Sequence, residues 1–165
     1  MWLVGMMGSG KTSIGKLVAD AVDTRFFDTD DAVVTLAGRT VTELWDDIGE
    51  TGFRELERAA IGAIPRGVVA AAGGGAVLDA VNREVMRLDP PVVWLRAAPE
   101  TLAIRLGGVT DRPLLGASAE SQVELLREIL NARAASYVAA ATHTVETDGR
   151  ELEDLVSEVI ELWPV

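Results

Sequence analysis

The 165-residue chain has no cysteine and only one histidine, His143. Without cysteine there is neither a disulfide framework nor thiolate chemistry, which suits a reducing compartment. A single histidine supports no multi-histidine metal site, and we assign it no role. The sequence also lacks a run of about eighteen apolar residues and a basic start followed by an apolar segment. We therefore expect a soluble, cytoplasmic protein with no membrane partner.

Basic residues are scarce. The formal net charge is −11, and the only lysines are Lys11 and Lys16. Such an acidic chain repels polyanions, so we expect no nucleic-acid partner. Neither lysine lies in the Asn-Lys-x-Asp pattern that reads guanine in GTP switch proteins. A small anionic substrate needs only a few cations in one pocket, which makes the arginines informative.

The segment Gly5–Thr12 reads Gly-Met-Met-Gly-Ser-Gly-Lys-Thr and fills every fixed position of the phosphate-binding loop. Such a loop curls backbone N–H groups around an anion, and the N-terminus of the next helix adds partial positive charge. Lys11 would reach the β- and γ-phosphates, and the Thr12 hydroxyl would ligate Mg²⁺. The apolar segment Trp2–Val4 precedes the loop, and apolar residues at helical spacing follow it. The sequence therefore predicts nucleotide binding.

Apolar spacing predicts strands that alternate with helices. The expected strands are Trp2–Val4, Arg25–Phe27, Gly67–Ala71, Pro91–Arg96 and Thr142–Glu146. The expected helices are Lys11–Val22, Asp30–Ala37, Val41–Ile64 with a break near residues 49–52, Val77–Leu88, Pro99–Leu106, Ala119–Ala140 and Glu151–Leu162. This alternation indicates one α/β domain with a parallel sheet covered by helices on both faces, and with ligands at the carboxyl ends of the strands.

Two acids follow the second predicted strand, in Asp28-Thr29-Asp30. One carboxylate could orient a Mg²⁺ hydration shell while the other hydrogen-bonds a substrate hydroxyl, as phosphoryl transfer requires. The alternative is that Asp30 or Thr29 only caps the next helix.

Arg54 and Glu57 lie on one helix face, where Glu57 could orient the guanidinium toward a carboxylate. The alternative is an ordinary solvated face shared with Glu55 and Arg58. Arg133, inside a long predicted helix, could add another anion contact.

Gly73, Gly74 and Gly75 follow an apolar strand and allow close approach of a ligand, unless they form only a floppy turn. Residues 107–118 form a long loop rich in Gly and Pro, in which Arg112 could swing in as part of a lid.

Among the aromatic residues, Phe26, Trp94 and Trp163 are expected in the core. Trp45 and Phe53 flank the predicted helix break and could wall a pocket.

Together and in this order, these motifs closely resemble the shikimate kinase family. The resemblance covers nearly the whole chain. It implies a three-layer αβα P-loop kinase fold of the nucleoside-monophosphate-kinase type, with a five-stranded parallel sheet of order 2-3-1-4-5. It also implies one kinase domain over 1–165, with a substrate-binding segment at about 30–60 and a lid at 107–118. The implied reaction moves the γ-phosphoryl group of ATP to the 3-hydroxyl of shikimate, in aromatic amino-acid biosynthesis, with Mg²⁺ as cofactor and a monomer as the working state.

The same resemblance implies the site. Catalytic roles fall to Lys11, Asp30 and Arg112. ATP contacts fall to Gly8, Ser9, Gly10, Lys11, Thr12, Ser13, Arg105, Arg112 and Arg150, with Arg105 stacked on adenine. Shikimate contacts fall to Asp30, Arg54, Gly73, Gly74, Gly75 and Arg133, with Trp45 in the pocket wall. Thr12 and Asp28 match the magnesium site of the family.

The chain departs from the family pattern at three places. Ala135 stands where the family commonly has proline, residues 147–150 lack a proline often found there, and Asp111 puts a negative charge beside Arg112. Two other functions therefore stay open. One is a related P-loop kinase of a gluconate-type acceptor, and the other is a nucleotide-binding paralogue without catalysis.

Overall fold

The computed structural model describes residues 1–107 and 119–164. Its strands are β1 (Trp2–Val4), β2 (Phe26–Asp28), β3 (Val69–Ala71), β4 (Val92–Arg96) and β5 (His143–Glu146). Its helices are α1 (Lys11–Ala21), α2 (Thr29–Ala37), α3 (Val41–Ala63), α4 (Ala80–Arg87), α5 (Pro99–Leu106), α6 (Ala119–Ala140) and α7 (Leu152–Glu161). Of the expected lid at 107–118, residues 108–118, with Asp111 and Arg112, lie outside the described residues.

The five strands form one parallel sheet in the order β2-β3-β1-β4-β5, which confirms the expected topology. Strand β1 lies in the middle, with Trp2 opposite Ala70 of β3 and Val4 opposite Trp94 of β4. Because all strands run the same way, the segments that follow β1, β2 and β3 leave the sheet at one edge. That edge carries the phosphate loop, the acidic triplet and the triple glycine.

Side chains on successive strand residues point to opposite faces and build two apolar layers. Trp2 and Val4 belong to a cluster that includes Leu102, Leu126 and Tyr137 from α5 and α6. Leu3 instead belongs to a second cluster, which α1 and α7 cover with Ile14, Val18, Leu155 and Val159. Trp94 is buried in the first layer, and Phe26 and Trp163 pack against the second, so the expected core aromatics lie in the core.

A third, smaller cluster joins α2 to α3. Its buried members are Val33, Leu44, Phe53 and Ala60. A capping box at Thr40 and Glu43 starts α3. At Gly49 the backbone takes φ 65° and ψ −174°, which interrupts the helix where the sequence predicts a break. A positive φ of this kind favours glycine.

The predicted start of the helix Val77–Leu88 is wrong. A 3₁₀ turn spans Ala76–Leu78, and α4 begins only at Ala80 because the Asp79 carboxylate accepts a hydrogen bond from the Val81 N–H at 2.8 Å. Several strands also begin one or two residues later than expected. The largest delay is in β3, which begins at Val69 rather than Gly67. Strand β2 is shifted at both ends and runs to Asp28 rather than ending at Phe27.

Among the residues that the structure describes, none of the helices combines the length and apolar composition that crossing a bilayer needs.

Two neighbouring positions of α5 test the first apolar layer. Leu102 is fully buried, whereas Ile104 is 80% exposed. We expect Leu102→Ala to lower the free energy of unfolding by about 2–5 kcal/mol, because it removes packed methyl groups and leaves a cavity. Ile104→Ala, the matched control, should change it by less than about 0.5 kcal/mol. Urea denaturation of both variants measures the free energy of unfolding. An equal decrease in the two variants would contradict the packing of Leu102 in the first apolar layer.

Candidate active site

The phosphate loop needs glycine for two physical reasons. Gly5, Gly8 and Gly10 have φ values of 148°, 79° and 94°, which side chains rarely allow. Gly5 also lies so close to β4 that a Cβ there would be 2.5 Å from the Leu95 carbonyl oxygen. Below the loop, the Ser9 side chain is buried, and its hydroxyl has no hydrogen-bond partner among the described residues. The loop is therefore a tightly packed backbone cradle at the N-terminus of α1.

Lys11 lies against this loop. Its Nζ donates hydrogen bonds to the carbonyl oxygens of Gly5 and Met6, both at 2.9 Å. These bonds hold the ammonium group beside the backbone that would surround a phosphate.

The Asp28 carboxylate makes two contacts at the end of β2. Its Oδ2 accepts a hydrogen bond from the Thr12 hydroxyl at 3.0 Å, and its Oδ1 accepts one from the Asp30 N–H at 3.0 Å. Asp28 is therefore the N-cap of α2, and the alternative in which Asp30 or Thr29 caps this helix is wrong. The first contact brings two oxygen groups of the kind that magnesium prefers close together.

Thr29, between the two acids, makes a hydrogen bond to the glycine turn that was not predicted from the sequence. Its side chain is fully buried, and its hydroxyl oxygen accepts a hydrogen bond from the Gly73 N–H at 2.8 Å. The available signal was its position at the helix start, beside the edge where the triple glycine had to lie.

Each residue of the triple glycine lies against a charged side chain. A Cβ on Gly73 would be 2.7 Å from Asp30 Oδ1 and 2.9 Å from Glu57 Oε1, and a Cβ on Gly75 would be 2.6 Å from Arg54 Nη2. Gly74 lies next to the Arg133 guanidinium, at 3.5 Å by the same measure. The turn is therefore packed closely against charged groups, as its predicted role in ligand contact requires.

Arg54 is held from several directions. Its Nη1 donates to Glu57 Oε2 at 2.9 Å, and its Nη2 lies 3.4 Å from Glu50 Oε1. The guanidinium also lies 5.7 Å from the Trp45 ring and 5.6 Å from the Phe53 ring. These contacts fix the orientation of a cation that could receive a carboxylate.

Glu57 is not part of a solvated face. Its side chain is 2% exposed, and burial raises the pKa of its carboxyl group while the neighbouring Arg54 opposes that shift. The solvated-face alternative is therefore wrong for Arg54 and Glu57. That alternative does hold for Glu55 and Arg58, since Glu55 is exposed and the Arg58 side chain, which pairs with Asp79, is half-exposed.

Tyr137 supports the same turn from α6. Its hydroxyl donates to the Gly74 carbonyl oxygen at 2.7 Å, and its ring stacks on Trp94 with centroids 5.3 Å apart. Burial raises the pKa of Tyr137 to about 12, so the phenol keeps its proton and remains a donor near neutral pH.

These groups surround one cleft of about 830 Å³. Of the residues named from the sequence, its lining includes Gly8, Gly10, Lys11, Thr12, Ser13, Asp28, Asp30, Trp45, Arg54, Gly73, Gly74, Gly75 and Arg133. The cleft therefore places a phosphate cradle, a pair of arginines and several carboxylates, Asp28 and Asp30 among them, around one space. Such an arrangement can hold a phosphate chain beside a small acid and align the two for group transfer.

Three predicted residues that the structure describes do not line the cleft. The Ser9 side chain is buried below the loop. Arg105 Nη2 donates to the Thr147 carbonyl oxygen at 2.8 Å, and its Nη1 lies 3.4 Å from the Gly8 carbonyl oxygen, so it borders the loop from outside the cleft. Arg150 forms an ion pair with Glu158 on α7. Arg112 falls outside the described residues.

Comparison with known proteins agrees with this geometry. The family model described as shikimate kinase matches residues 7–163. A curated shikimate kinase of Symbiobacterium thermophilum is 44% identical over 163 residues, covering 96% of this chain and 92% of that protein.

Solved structures give the same result. A shikimate kinase of Acinetobacter baumannii in complex with shikimate matches with a TM-score of 0.89 and 32% identity, covering 98% of this chain and 90% of that chain. A shikimate kinase of Bacteroides thetaiotaomicron matches with the same TM-score and identity, covering 98% and 96%. The chain therefore belongs to the shikimate kinase family, whose members are ATP-dependent kinases.

Proposed function

We propose that this protein transfers the γ-phosphoryl group of ATP to the 3-hydroxyl of shikimate, giving ADP and shikimate 3-phosphate on the route to aromatic amino acids. The observation that carries the proposal is the single cleft that joins the phosphate loop to Asp30, Arg54 and Arg133. A loop alone would suit any nucleotide-binding protein. Arg54, Arg133 and Asp30 complement an acceptor that carries a carboxylate and a hydroxyl on one compact molecule.

The phosphate loop forms the donor half of the site. We assign ATP contacts to Gly8, Ser9, Gly10, Thr12 and Ser13, whose backbone lies at the N-terminus of α1. Lys11 would exchange the carbonyls of Gly5 and Met6 for phosphate oxygens.

On the nucleoside side we assign contacts to Arg105 and Arg150. Arg105 borders the loop at Gly8. Arg112, which we assign to the transferring phosphate by family resemblance, lies outside the described residues.

Thr12 and Asp28 fit a magnesium ion. Their oxygens already lie 3.0 Å apart beside the loop. Among the described residues, no group of three acidic or histidine side chains forms a protein cage for a metal. One hydroxyl and one carboxylate suit magnesium, which takes most of its other ligands from phosphates and water. When bound, the ion would neutralise charge on the transferring phosphates.

The acceptor half lies across the glycine turn, within the proposed substrate-binding segment 30–60 and α6. Arg54 and Arg133 would hold the acceptor carboxylate, and Gly73, Gly74 and Gly75 would let the ring approach the backbone. Because Glu57 already orients Arg54, binding of the acceptor carboxylate costs little further side-chain entropy.

In the transfer itself, the acceptor oxygen bonds to the γ-phosphorus as the bond from that phosphorus to the β–γ bridging oxygen breaks. The Asp30 carboxylate would accept the hydrogen bond of the attacking hydroxyl and face its departing proton. Catalysis then rests on in-line positioning and on charge neutralisation by Lys11 and the arginines.

An acceptor panel tests the proposal against its alternatives. We expect ADP formation that depends on both shikimate and Mg²⁺, and little with gluconate, which lacks the compact ring. The measurement is a coupled ADP assay. Turnover of gluconate in preference to shikimate would favour the related-kinase alternative. A folded sample that binds ATP but turns over no acceptor would favour the non-catalytic one.

The role of Asp30 is tested by Asp30→Asn. The amide keeps the shape of the side chain but is a much weaker proton acceptor, so we expect kcat to fall by about 10²–10⁴-fold with shikimate. Asp31→Asn removes the next carboxylate of the same helical turn, which also lines the cleft, and should keep much more activity than Asp30→Asn. Steady-state kinetics decides this, and an Asp30→Asn variant with the parent kcat would show that our role for Asp30 is wrong.

The orientation of Arg54 is tested by Glu57→Gln. The substitution weakens the charge-assisted contact with Nη1, so we expect the KM for shikimate to rise by about tenfold while the KM for ATP changes little. Glu55→Gln removes the same charge from an exposed position of α3 and should leave both constants unchanged. If both variants behave alike, Glu57 has no special part in holding Arg54.

A further inference from the structure

We propose that Thr29 is a positioning residue for this reaction, because its buried hydroxyl ties the glycine turn of the acceptor half to the acidic triplet beside it. The inference rests on the proposed function. It concerns a residue that does not itself line the cleft, and that therefore acts through neighbours that do, Gly73 among them.

The hydrogen bond extends the sheet by one step beyond its strands. Strands β2 and β3 pair as far as Asp28 opposite Ala71. At Thr29 the backbone turns into α2 and leaves the ladder. On the other side, the Ala72 N–H still reaches β1, at the Leu3 carbonyl oxygen. The Gly73 N–H comes next, and the Thr29 hydroxyl oxygen accepts it at 2.8 Å.

The bond is fully enclosed. Thr29 is 0% exposed, and Gly73 is buried as well. A buried N–H that loses its acceptor must either remain unpaired or move to find another partner, and both are costly. Because threonine is branched at Cβ, its hydroxyl has few alternative directions. The side chain therefore fixes where the turn begins.

What the turn touches explains why its position matters. Gly73 lies against Asp30 and Glu57, and the next two glycines lie against Arg133 and Arg54. On the other flank of Thr29, Asp28 contacts Thr12 of the phosphate loop. One hydroxyl thus links the segment that carries the metal and hydroxyl contacts to the turn that faces the acceptor. A displacement of about 1 Å can cost about 10²-fold in rate when a reaction depends on positioning.

The chain offers a matched control at the opposite edge of the same two strands. The Thr24 hydroxyl donates to the Gly67 carbonyl oxygen at 2.9 Å, and these residues precede β2 and β3. Thr24→Val therefore removes a threonine hydroxyl that joins the same pair of segments, but at the edge away from the cleft.

The experiment compares Thr29→Val, Thr29→Ser and Thr24→Val, with the parent enzyme first shown to turn over shikimate. We expect Thr29→Val to lower kcat about 10–100-fold, with a KM for ATP close to that of the parent. Thr29→Ser keeps the hydroxyl and should restore most of the kcat even where loss of the methyl group lowers the melting temperature. Thr24→Val should lower only the melting temperature.

A second measurement, hydrogen exchange in the parent protein, decides the bond even if Thr29→Val does not fold. In the parent protein, the Gly73 amide should exchange with deuterium as slowly as the amides of β1, and in folded Thr29→Val its proton resonance should move upfield. Fast exchange in the parent would overturn the proposal, as would a Thr29→Val variant with the parent kcat or a Thr29→Ser variant equally impaired. If the parent itself does not turn over shikimate, the proposed function fails, while the exchange result still decides the hydrogen bond.

Discussion

The rest of the site depends on one constraint: charged side chains pack directly against the backbone of the triple glycine. Asp30, Glu57 and Arg54 all come within 3 Å of the points where a Cβ would lie on Gly73 or Gly75. Side chains at those positions would displace the charged groups from the edge of the sheet. Because β3 lies between β2 and β1, the turn that follows it has the acidic triplet on one side and the phosphate loop on the other. The cleft is the space that these three segments leave between them.

The cations of the site illustrate how an acidic chain uses few basic residues. Lys11 donates to two loop carbonyls, and Arg54 pairs with two carboxylates and lies beside two aromatic rings. Outside the cleft, Arg105 donates to the backbone of Thr147. Each is oriented before a ligand arrives. Fixed donors lose less conformational entropy on binding and need less reorganisation as charge shifts during transfer. A net charge of −11 is therefore compatible with a site for anions, because the local arrangement outweighs the distant field.

Sequence reasoning reached the architecture because its signals are local. The pattern Gly5–Thr12 and the alternation of strands with helices depend on neighbouring residues, and the parallel sheet follows from them. The resemblance to a known family supplied the strand order, and the structure has that order. The predicted helix boundaries were less accurate where a capping side chain determines the first residue of the helix. Asp79 delays α4, and Asp28 rather than Asp30 caps α2, because several acids near a helix start are equally good candidates until the backbone is known.

Residue types and their spacing established which chemical groups the chain carries: a phosphate loop, acids at a strand end, and arginines with a glycine turn. They could not decide which of those groups meet, or whether Glu57 faces water. Only the tertiary structure placed Glu57 in a buried pair with Arg54, gave each glycine its charged neighbour, and joined Thr29 to Gly73 across 44 positions of sequence. The physical reason is that burial and hydrogen bonding between distant segments depend on how strands and helices pack, and packing is a property of the whole chain.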